Sequence, residues 1–263
     1  MYAFTLERPA SAADAARLAG EGAKLLAGGQ TLLASMKLRL ADPGRLIDLA
    51  GIGDLAGIRR DGDAFVIGAM TRHADVAANA ELQAALPALA SLASRIGDRQ
   101  VRAMGTLGGS VANNDPAADY PAAVLGLNAT VQTNRREIAA DDFFQGLFTT
   151  ALADDEVITA IRFPIPRRAN YQKFKQPASR FALVGVFVAQ TDAGVRVAVT
   201  GAGSGVFRHH GLEQALVASF TPAAAASVPI DATDLNSDMH GSAAYRANLI
   251  GVLTQRAVQQ MQG

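Results

Sequence analysis

Two glycine-rich segments constrain how this chain can fold. Residues 24–27 predict a short strand that runs into a glycine pair at 28–29, and residues 30–40 have the apolar spacing of a helix. A second segment, residues 105–110, carries three glycines beside a threonine and a serine. Glycine lets the backbone turn tightly and lets a ligand approach it closely. Each segment is therefore a candidate anion-binding loop.

Neither segment matches a familiar phosphate-binding motif. The Gly-Lys-Ser/Thr sequence of a P-loop is missing from both, and their glycines do not have Rossmann spacing. Each segment alone also fits an ordinary tight turn, because glycine pairs are common in turns. Backbone amides at the start of a helix nevertheless favour an anion. Two such segments together are more informative than one, because a dinucleotide that lies between two subdomains would need both.

A third glycine-rich segment, residues 200–206, follows a strand predicted at 195–200. It is similar to a dinucleotide-binding fingerprint, but its third glycine comes one position early. No further strand–helix–strand unit follows it to hold the other half of a dinucleotide. We interpret this segment as a structural loop.

The composition excludes several classes of function. With 24 basic and 24 acidic residues, the 263-residue chain has no net charge, which argues against nucleic acid as a partner. It has no cysteine, which excludes a cysteine-ligated iron–sulfur cluster within this chain. The four histidines lack metal-binding spacing, so we predict no metal site. We recognise no set of catalytic residues, no leader peptide and no transmembrane segment, and we expect a cytoplasmic protein.

The order of predicted elements indicates an α+β protein. Strand, helix and strand within residues 24–49 predict a parallel βαβ unit, and two hairpins are predicted at 56–68 and 129–139. Prolines 164 and 166 follow a predicted strand at 157–163, and the pattern then changes.

We therefore predict two domains, with a boundary after residue 166. The first, 1–166, has subdomains at about 1–54 and 55–166. The second, 167–263, has three successive strands and then helices, which predicts a three-stranded antiparallel sheet with helices on one face.

Both glycine segments resemble those of the flavin subunit of the molybdenum hydroxylases, the family that includes xanthine dehydrogenase. The resemblance starts from residues 27–31 and 106–110, with Asp115, Pro116 and Asp119 behind the second segment. It continues along essentially the whole chain, through residues 36–40, 48–49, 67–69, 178–185 and 245–246. Two glycine motifs in the right order make it specific.

The resemblance implies a fold of the vanillyl-alcohol-oxidase type (PCMH type). An FAD-binding domain in two subdomains would be followed by a C-terminal α+β domain. It also implies that both glycine segments hold the FAD pyrophosphate, through Ala27, Gly28, Gly29, Gln30, Thr31, Thr106, Leu107, Gly108, Gly109 and Ser110.

The same resemblance implies roles for three further residues. Asp119 would approach the ribityl chain or ring of the flavin, Lys173 would lie beside the flavin, and Phe181 would face the isoalloxazine. Many relatives have tyrosine where Phe181 stands, so here the apolar shielding is kept and the hydroxyl is lost. Simpler alternatives remain open. Asp119 would then cap a helix, Lys173 would be a solvated strand residue, and Phe181 would belong to the core.

The family implies a subunit that transfers electrons and has no substrate site of its own. Its FAD would accept electrons from two [2Fe–2S] clusters in a small partner subunit and pass them to an external acceptor. A large partner subunit with a molybdenum cofactor would oxidise the substrate, in a dimer of heterotrimers. Two other classes remain open. One is a stand-alone flavin oxidoreductase with its own substrate site, and the other is a non-enzymatic module that binds a different phosphate ligand.

Overall fold

The computed structural model describes residues 1–262 and begins with a small parallel sheet. Its elements are β1 (Thr5–Glu7), α1 (Ala12–Gly20), β2 (Lys24–Leu26), α2 (Leu32–Lys37) and β3 (Arg45–Asp48). The strand order is β1-β3-β2 with parallel pairing throughout, so the predicted βαβ unit is confirmed. Sequence patterning missed β1, since three residues at a sheet edge carry too little periodicity. Helix α2 is shorter than the predicted 30–40 because residues 30 and 31 still belong to the preceding turn.

A five-stranded antiparallel sheet and several short helices follow. The elements are β4 (Ile58–Asp61), β5 (Ala64–Gly68), α3 (His73–Ala78), α4 (Ala80–Ala85), α5 (Pro87–Ser94), α6 (Arg99–Met104), α7 (Leu107–Asn113), α8 (Tyr120–Gly126), β6 (Thr130–Thr133), β7 (Glu137–Ala139), α9 (Ala140–Phe143), β8 (Phe144–Gly146), β9 (Thr149–Thr150) and β10 (Ile158–Pro164). The sheet order is β4-β5-β10-β6-β7, while β8 and β9 form a separate hairpin. Both predicted hairpins, β4–β5 and β6–β7, are confirmed.

The C-terminal part is an antiparallel sheet with helices. Its elements are β11 (Arg168–Lys175), β12 (Ala182–Thr191), β13 (Gly194–Thr200), β14 (Phe207–Arg208), α10 (His210–Ala218), α11 (Pro222–Ala226) and α12 (Ala243–Gln260). The three predicted strands are confirmed, and the two-residue strand β14 extends their sheet to the order β11-β12-β13-β14. Within residues 1–262, no helix combines the length and the hydropathy needed to cross a membrane.

Strand β12 is buried on both faces, which explains its nearly continuous apolar sequence. Val184, Val186 and Val188 pack in a core with residues of α10 and α12, whereas Phe187 belongs to the core of the preceding sheet and helices. Helix α8 approaches this strand so closely that a Cβ on Gly126 would lie 2.7 Å from the Phe187 ring. The C-terminal sheet therefore packs between helices of both parts of the chain, and this packing brings β11 against residues 95–119.

Asn114 joins the end of α7 to the β8–β9 hairpin. Its backbone is left-handed, with φ of 44° and ψ of 47°, a conformation that asparagine tolerates better than most residues. The buried side chain donates from Nδ2 to the carbonyl oxygens of Gly146 and Thr149, each at 2.8 Å. One residue therefore both ends the helix and fixes the hairpin.

We expect Asn114→Ala to lower the free energy of unfolding by about 2–4 kcal/mol. Two buried hydrogen bonds are lost, and alanine is strained in the left-handed region. Asn114→Gly is the matched control, because it loses the same bonds without the strain and should be about 1 kcal/mol less destabilised. Urea unfolding measures both, and equal losses would show that backbone strain at this position contributes nothing.

Candidate functional site

The two glycine segments touch each other through their backbones. A Cβ on Gly28 would lie 2.2 Å from the carbonyl oxygen of Met104 and 2.7 Å from Cα of Gly105. On the other side, a Cβ on Gly109 would lie 3.1 Å from Cβ of Ala27. The structure therefore brings predicted residues 27–31 and 106–110 together. Position 28 has room for glycine alone.

The first segment offers free backbone donors. None of the amides of residues 28–31 donates a hydrogen bond to any group in residues 1–262. Gly29 has φ of 72°, so the chain reverses here in a conformation that suits glycine. Gln30 and Thr31 are exposed, and the Thr31 side chain makes no capping bond to α2. Consecutive unpaired amides in a turn are a strong donor set for an anion.

The second segment behaves differently, because the amides of residues 107–110 are already hydrogen-bonded within the chain. The Leu107 amide donates to the Thr71 carbonyl at 3.0 Å, and the Gly108 amide donates to the Ala69 carbonyl at 2.7 Å. The amides of Gly109 and Ser110 donate to the side chain and the carbonyl of Thr106.

The physical reason is that α7 packs against residues 69–71, whose carbonyls accept from its first two amides, while its N-cap Thr106 accepts from the next two. Leu107 itself is fully buried in the core. The second segment therefore packs against the first. Only the partly buried Gly109 and Ser110 are accessible beside it. The contact of these residues with FAD stays a prediction.

His73, which the sequence did not single out, lies under the same segment. Its Nε2 would be 2.6 Å from a Cβ on Gly105. Burial and the nearby charge of Arg102 lower the pKa of His73 to about 4, so the ring is neutral at pH 7. The Tyr120 ring lies beside it, with 5.3 Å between the centroids. His73 therefore packs as an uncharged ring and adds no positive charge beside the two glycine segments.

Asp119, Tyr171 and Lys173 form a buried cluster where β11 meets residues 115–119. The Tyr171 hydroxyl donates to Asp119 Oδ1 at 2.5 Å, and Lys173 Nζ donates to Asp119 Oδ2 at 2.8 Å. Lys173 Nζ also donates to the Arg95 carbonyl at 3.1 Å. The Lys173 and Asp119 side chains are only 2% and 5% exposed. Burial raises the pKa of Asp119 above its ordinary value, and the Lys173 ammonium and the Tyr171 hydroxyl oppose that rise.

These contacts decide between the alternatives that the sequence left open. Asp119 stands before α8 but its side chain does not cap that helix, and Lys173 is not solvated. Phe181 is not core, because it is 47% exposed. Both Asp119 oxygens are occupied by protein groups, whereas Lys173 lines a cavity of about 430 Å³. Of this cluster, Lys173 alone lines that cavity, and its ammonium is directed at Asp119 and the Arg95 carbonyl. The positions of Asp119, Lys173 and Phe181 relative to a flavin stay predictions.

The third glycine-rich segment is held by protein contacts. The Gly201 amide donates to the Pro116 carbonyl at 2.8 Å, and a Cβ there would lie 2.5 Å from the Ala182 carbonyl oxygen. The Gly203 carbonyl accepts from Asn236 Nδ2 at 2.8 Å. These contacts support its interpretation as a structural loop.

Comparison with known proteins decides the family. Residues 2–166 match the family described as “FAD binding domain in molybdopterin dehydrogenase”. The chain belongs to this family. It is 36% identical to the carbon monoxide dehydrogenase medium chain of Hydrogenophaga pseudoflava, over 97% of this chain and 96% of that one. It is also 36% identical to the nicotine 6-hydroxylase medium subunit of Paenarthrobacter nicotinovorans, over 95% of this chain and 94% of the relative.

Solved structures agree with the sequence comparison. The structure of reconstituted CO dehydrogenase from Oligotropha carboxidovorans contains a chain of 34% identity that superposes with a TM-score of 0.90, over 99% of this chain and 98% of that chain. The predicted resemblance, the fold class and the flavin cofactor are therefore confirmed. This family member is an FAD-binding medium subunit of the molybdenum hydroxylase type.

We expect Lys173→Met to destabilise the protein by about 3–5 kcal/mol near pH 8, because the Asp119 carboxylate stays buried without its cation. Burial holds the folded-state pKa of Asp119 above that of the unfolded chain. As the pH rises, the unfolded chain releases this proton first, so the loss of stability grows with pH. Urea unfolding at about pH 5 and about pH 8 should show the smaller loss at the lower pH.

The double variant Lys173→Met/Asp119→Asn is the matched control. It keeps an acceptor for the Tyr171 hydroxyl and removes the buried charge, so it should recover most of the lost stability and its pH dependence. A single variant as stable as the native chain at both pH values would contradict this account of the cluster.

Proposed function

We propose that this chain binds FAD with its pyrophosphate on the free amides of residues 28–31 and transfers electrons through it. The observation that carries the proposal is the set of unpaired amides at the contact between the two glycine segments. A pyrophosphate needs several convergent N–H and O–H donors, and residues 28–31 supply the N–H groups. The hydroxyls of Thr31 and Ser110 add side-chain donors at the same surface.

The flavin ring would lie toward Lys173 and Phe181. Bound FAD supplies the redox chemistry, accepting electrons from one partner and giving them to another. Lys173 would form part of the cavity wall beside the ring, and its ion pair with Asp119 would fix its position. Phe181, exposed and lacking a hydroxyl, would exclude water from one face of the ring. These residues bind and position, and none of them is proposed to react.

The chain would act inside a larger complex. The relatives are called medium chains or subunits, which supports an assembly with chains of other sizes. Because this chain has no cysteine, [2Fe–2S] clusters that reduce the flavin would lie in a small partner, and the molybdenum cofactor in a large one. We also propose that two such heterotrimers associate as a dimer. The cytoplasmic location stays a prediction.

The proposed division of labour follows the predicted domains. Residues 1–166 would hold the pyrophosphate, and residues 167–263 would supply Lys173 and Phe181. Support comes from the change of sheet between β10, which ends at Pro164, and β11, which begins at Arg168.

We expect Thr31→Asp to weaken FAD binding at least about tenfold, or about 1.4 kcal/mol. The new carboxylate stands beside the free amides and should repel the pyrophosphate, whereas aspartate is a favourable residue at a helix N-cap and leaves α2 intact. Thr31 is a better test than Gly28, where a side chain would collide with the Met104 backbone. FAD that remains after gel filtration and a fluorescence titration provide the measurement.

Thr31→Asn is the matched control, because it keeps the polar shape and the capping ability without the charge. It should bind FAD nearly as the native chain does. If Thr31→Asp and Thr31→Asn retain FAD equally well, the pyrophosphate does not lie on residues 28–31.

Assembly is tested by co-expressing this chain with its neighbouring genes. Native mass spectrometry should find a complex that contains an iron–sulfur chain and a molybdenum chain. Stopped-flow absorbance should show substrate reducing the flavin in the complex and not in the isolated, FAD-loaded chain. An isolated chain reduced by substrate as fast as the complex would favour a stand-alone oxidoreductase. A colourless chain that binds no FAD would favour the non-enzymatic module.

A further inference from the structure

Five large apolar side chains in the first part of the chain are exposed to solvent. They belong to two short segments, the residues up to the middle of β1 and the turn after α2, and they are Tyr2, Phe4, Leu6, Leu38 and Leu40. The Arg39 guanidinium lies over the Tyr2 ring, 5.5 Å from its centroid, and so joins the two segments. We call these five residues the N-terminal patch. Single exposed apolar residues are normal on a protein surface, whereas a cluster of them marks an interaction site.

The backbone inside the patch is held in an unfavourable conformation. Arg39 has φ of 59°, in the left-handed region that glycine usually occupies after a helix. Its amide donates to the Met36 carbonyl at 3.0 Å, and the Leu40 amide donates to the Ser35 carbonyl at 2.9 Å. This turn leaves Leu38 and Leu40 71% and 78% exposed. It costs stability with arginine and would not with glycine, and strain of this kind collects at functional sites.

Strand β1 adds an uncovered sheet edge to the patch. It stands at one edge of the sheet β1-β3-β2, and residues 1–6 are all exposed. The charged residues that follow pair with β3, Glu7 with Arg45 and Arg8 with Asp48. They therefore do not protect the edge, although natural proteins usually guard an exposed edge with charge or cover it. The edge and the apolar side chains together indicate a surface that another protein covers.

The charges beside the patch favour an acidic partner. Lys37 and Arg39 are exposed and form no ion pair with a carboxylate in residues 1–262. Between residues 31 and 45 the one carboxylate is Asp42. A symmetric contact between two copies of this chain would bring the same cations into one interface, where like charges repel. The fitting partner is therefore a different chain, with an apolar surface bordered by carboxylates.

We infer that the N-terminal patch binds the small iron–sulfur chain, through an apolar surface of that chain bordered by carboxylates. The inference rests on the proposed function, which places the FAD pyrophosphate on residues 28–31. Helix α2 begins at Leu32, directly after that turn, and its six residues span about 9 Å toward the patch. A chain that reduces the flavin has to lie close to it, whereas the molybdenum chain does not. The patch lies at a suitable distance for the iron–sulfur chain.

The first test is photo-cross-linking in the co-expressed complex, with the photoreactive residue p-benzoylphenylalanine in place of Leu38. Irradiation should join this chain to the iron–sulfur chain, which mass spectrometry of the cross-linked peptides would identify. The same replacement at Val217, an exposed apolar residue of α10, is the matched control and should not give this product. A product from position 38 with the molybdenum chain or with a second copy of this chain, or no product at all, would overturn the inference.

The second test measures assembly by native mass spectrometry of a dilution series of the complex. Leu38→Ser/Leu40→Ser should weaken the binding of the iron–sulfur chain at least about tenfold, because two apolar contacts at the centre of the interface are lost. The matched control Val217→Ser/Met239→Ser removes two exposed apolar residues of the C-terminal part and should assemble like the native chain. The flavin absorbance of each sample records its FAD content independently.

Arg39→Gly separates a role in binding from a role in folding. It removes the cation and the backbone strain together, so it should weaken assembly, while urea unfolds the isolated chain at no lower concentration than the native one. Unchanged assembly in Leu38→Ser/Leu40→Ser with full FAD content would overturn the inference and leave the proposed function standing. A native complex that contains no iron–sulfur chain would overturn both.

Discussion

The backbone contact at Gly28 is the constraint on which the rest of the site depends. With no side chain at this position, the first glycine segment can rest directly on the Met104 carbonyl and on Gly105. The amides of residues 28–31 have no partner in residues 1–262, while the amides of the second segment bond to Thr106 and to residues 69 and 71 after β5. Two similar-looking motifs therefore play different parts. The first presents donors, and the second is the surface that supports them.

A second set of contacts joins the C-terminal sheet to residues 95–126 of the N-terminal part. Thr200 Oγ1 donates to the carbonyls of Pro116 and Ala118, and Arg196 Nε donates to the Leu125 carbonyl. The buried ion pair of Lys173 with Asp119 lies beside them. Lys173 lies on β11, which pairs with the buried strand β12, so β11 has little freedom to move relative to residues 95–119. The Lys173 side chain, which belongs to the C-terminal sheet, is thus held in a fixed position against Asp119 in the N-terminal part.

Local patterns were enough to predict much of this fold. The βαβ unit, both hairpins and the three long C-terminal strands follow from periodicity and turn residues, and the flavin family follows from the two glycine segments. What could not be predicted depends on contacts between distant residues. The pairing of Tyr171 and Lys173 with Asp119 needs β11 to meet the start of α8. Arg95, Arg102, Lys175 and Arg180 are distant in sequence and come to line one cavity only in the folded chain. The hydrogen bonds of the Leu107 and Gly108 amides depend on the packing of α7 against residues 69–71.

The contact at Gly28 also bears on how the cofactor is acquired. The turn at residues 28–31 packs against the second segment, and its amides have no partner in residues 1–262. Ordering a loop during binding would cost roughly 1–2 kcal/mol for each residue that is immobilised. For FAD bound as proposed, that entropy is already lost when the chain folds and does not reduce the affinity for the flavin. Folding and loading can consequently be separate events in time, with a competent apoprotein waiting for its flavin.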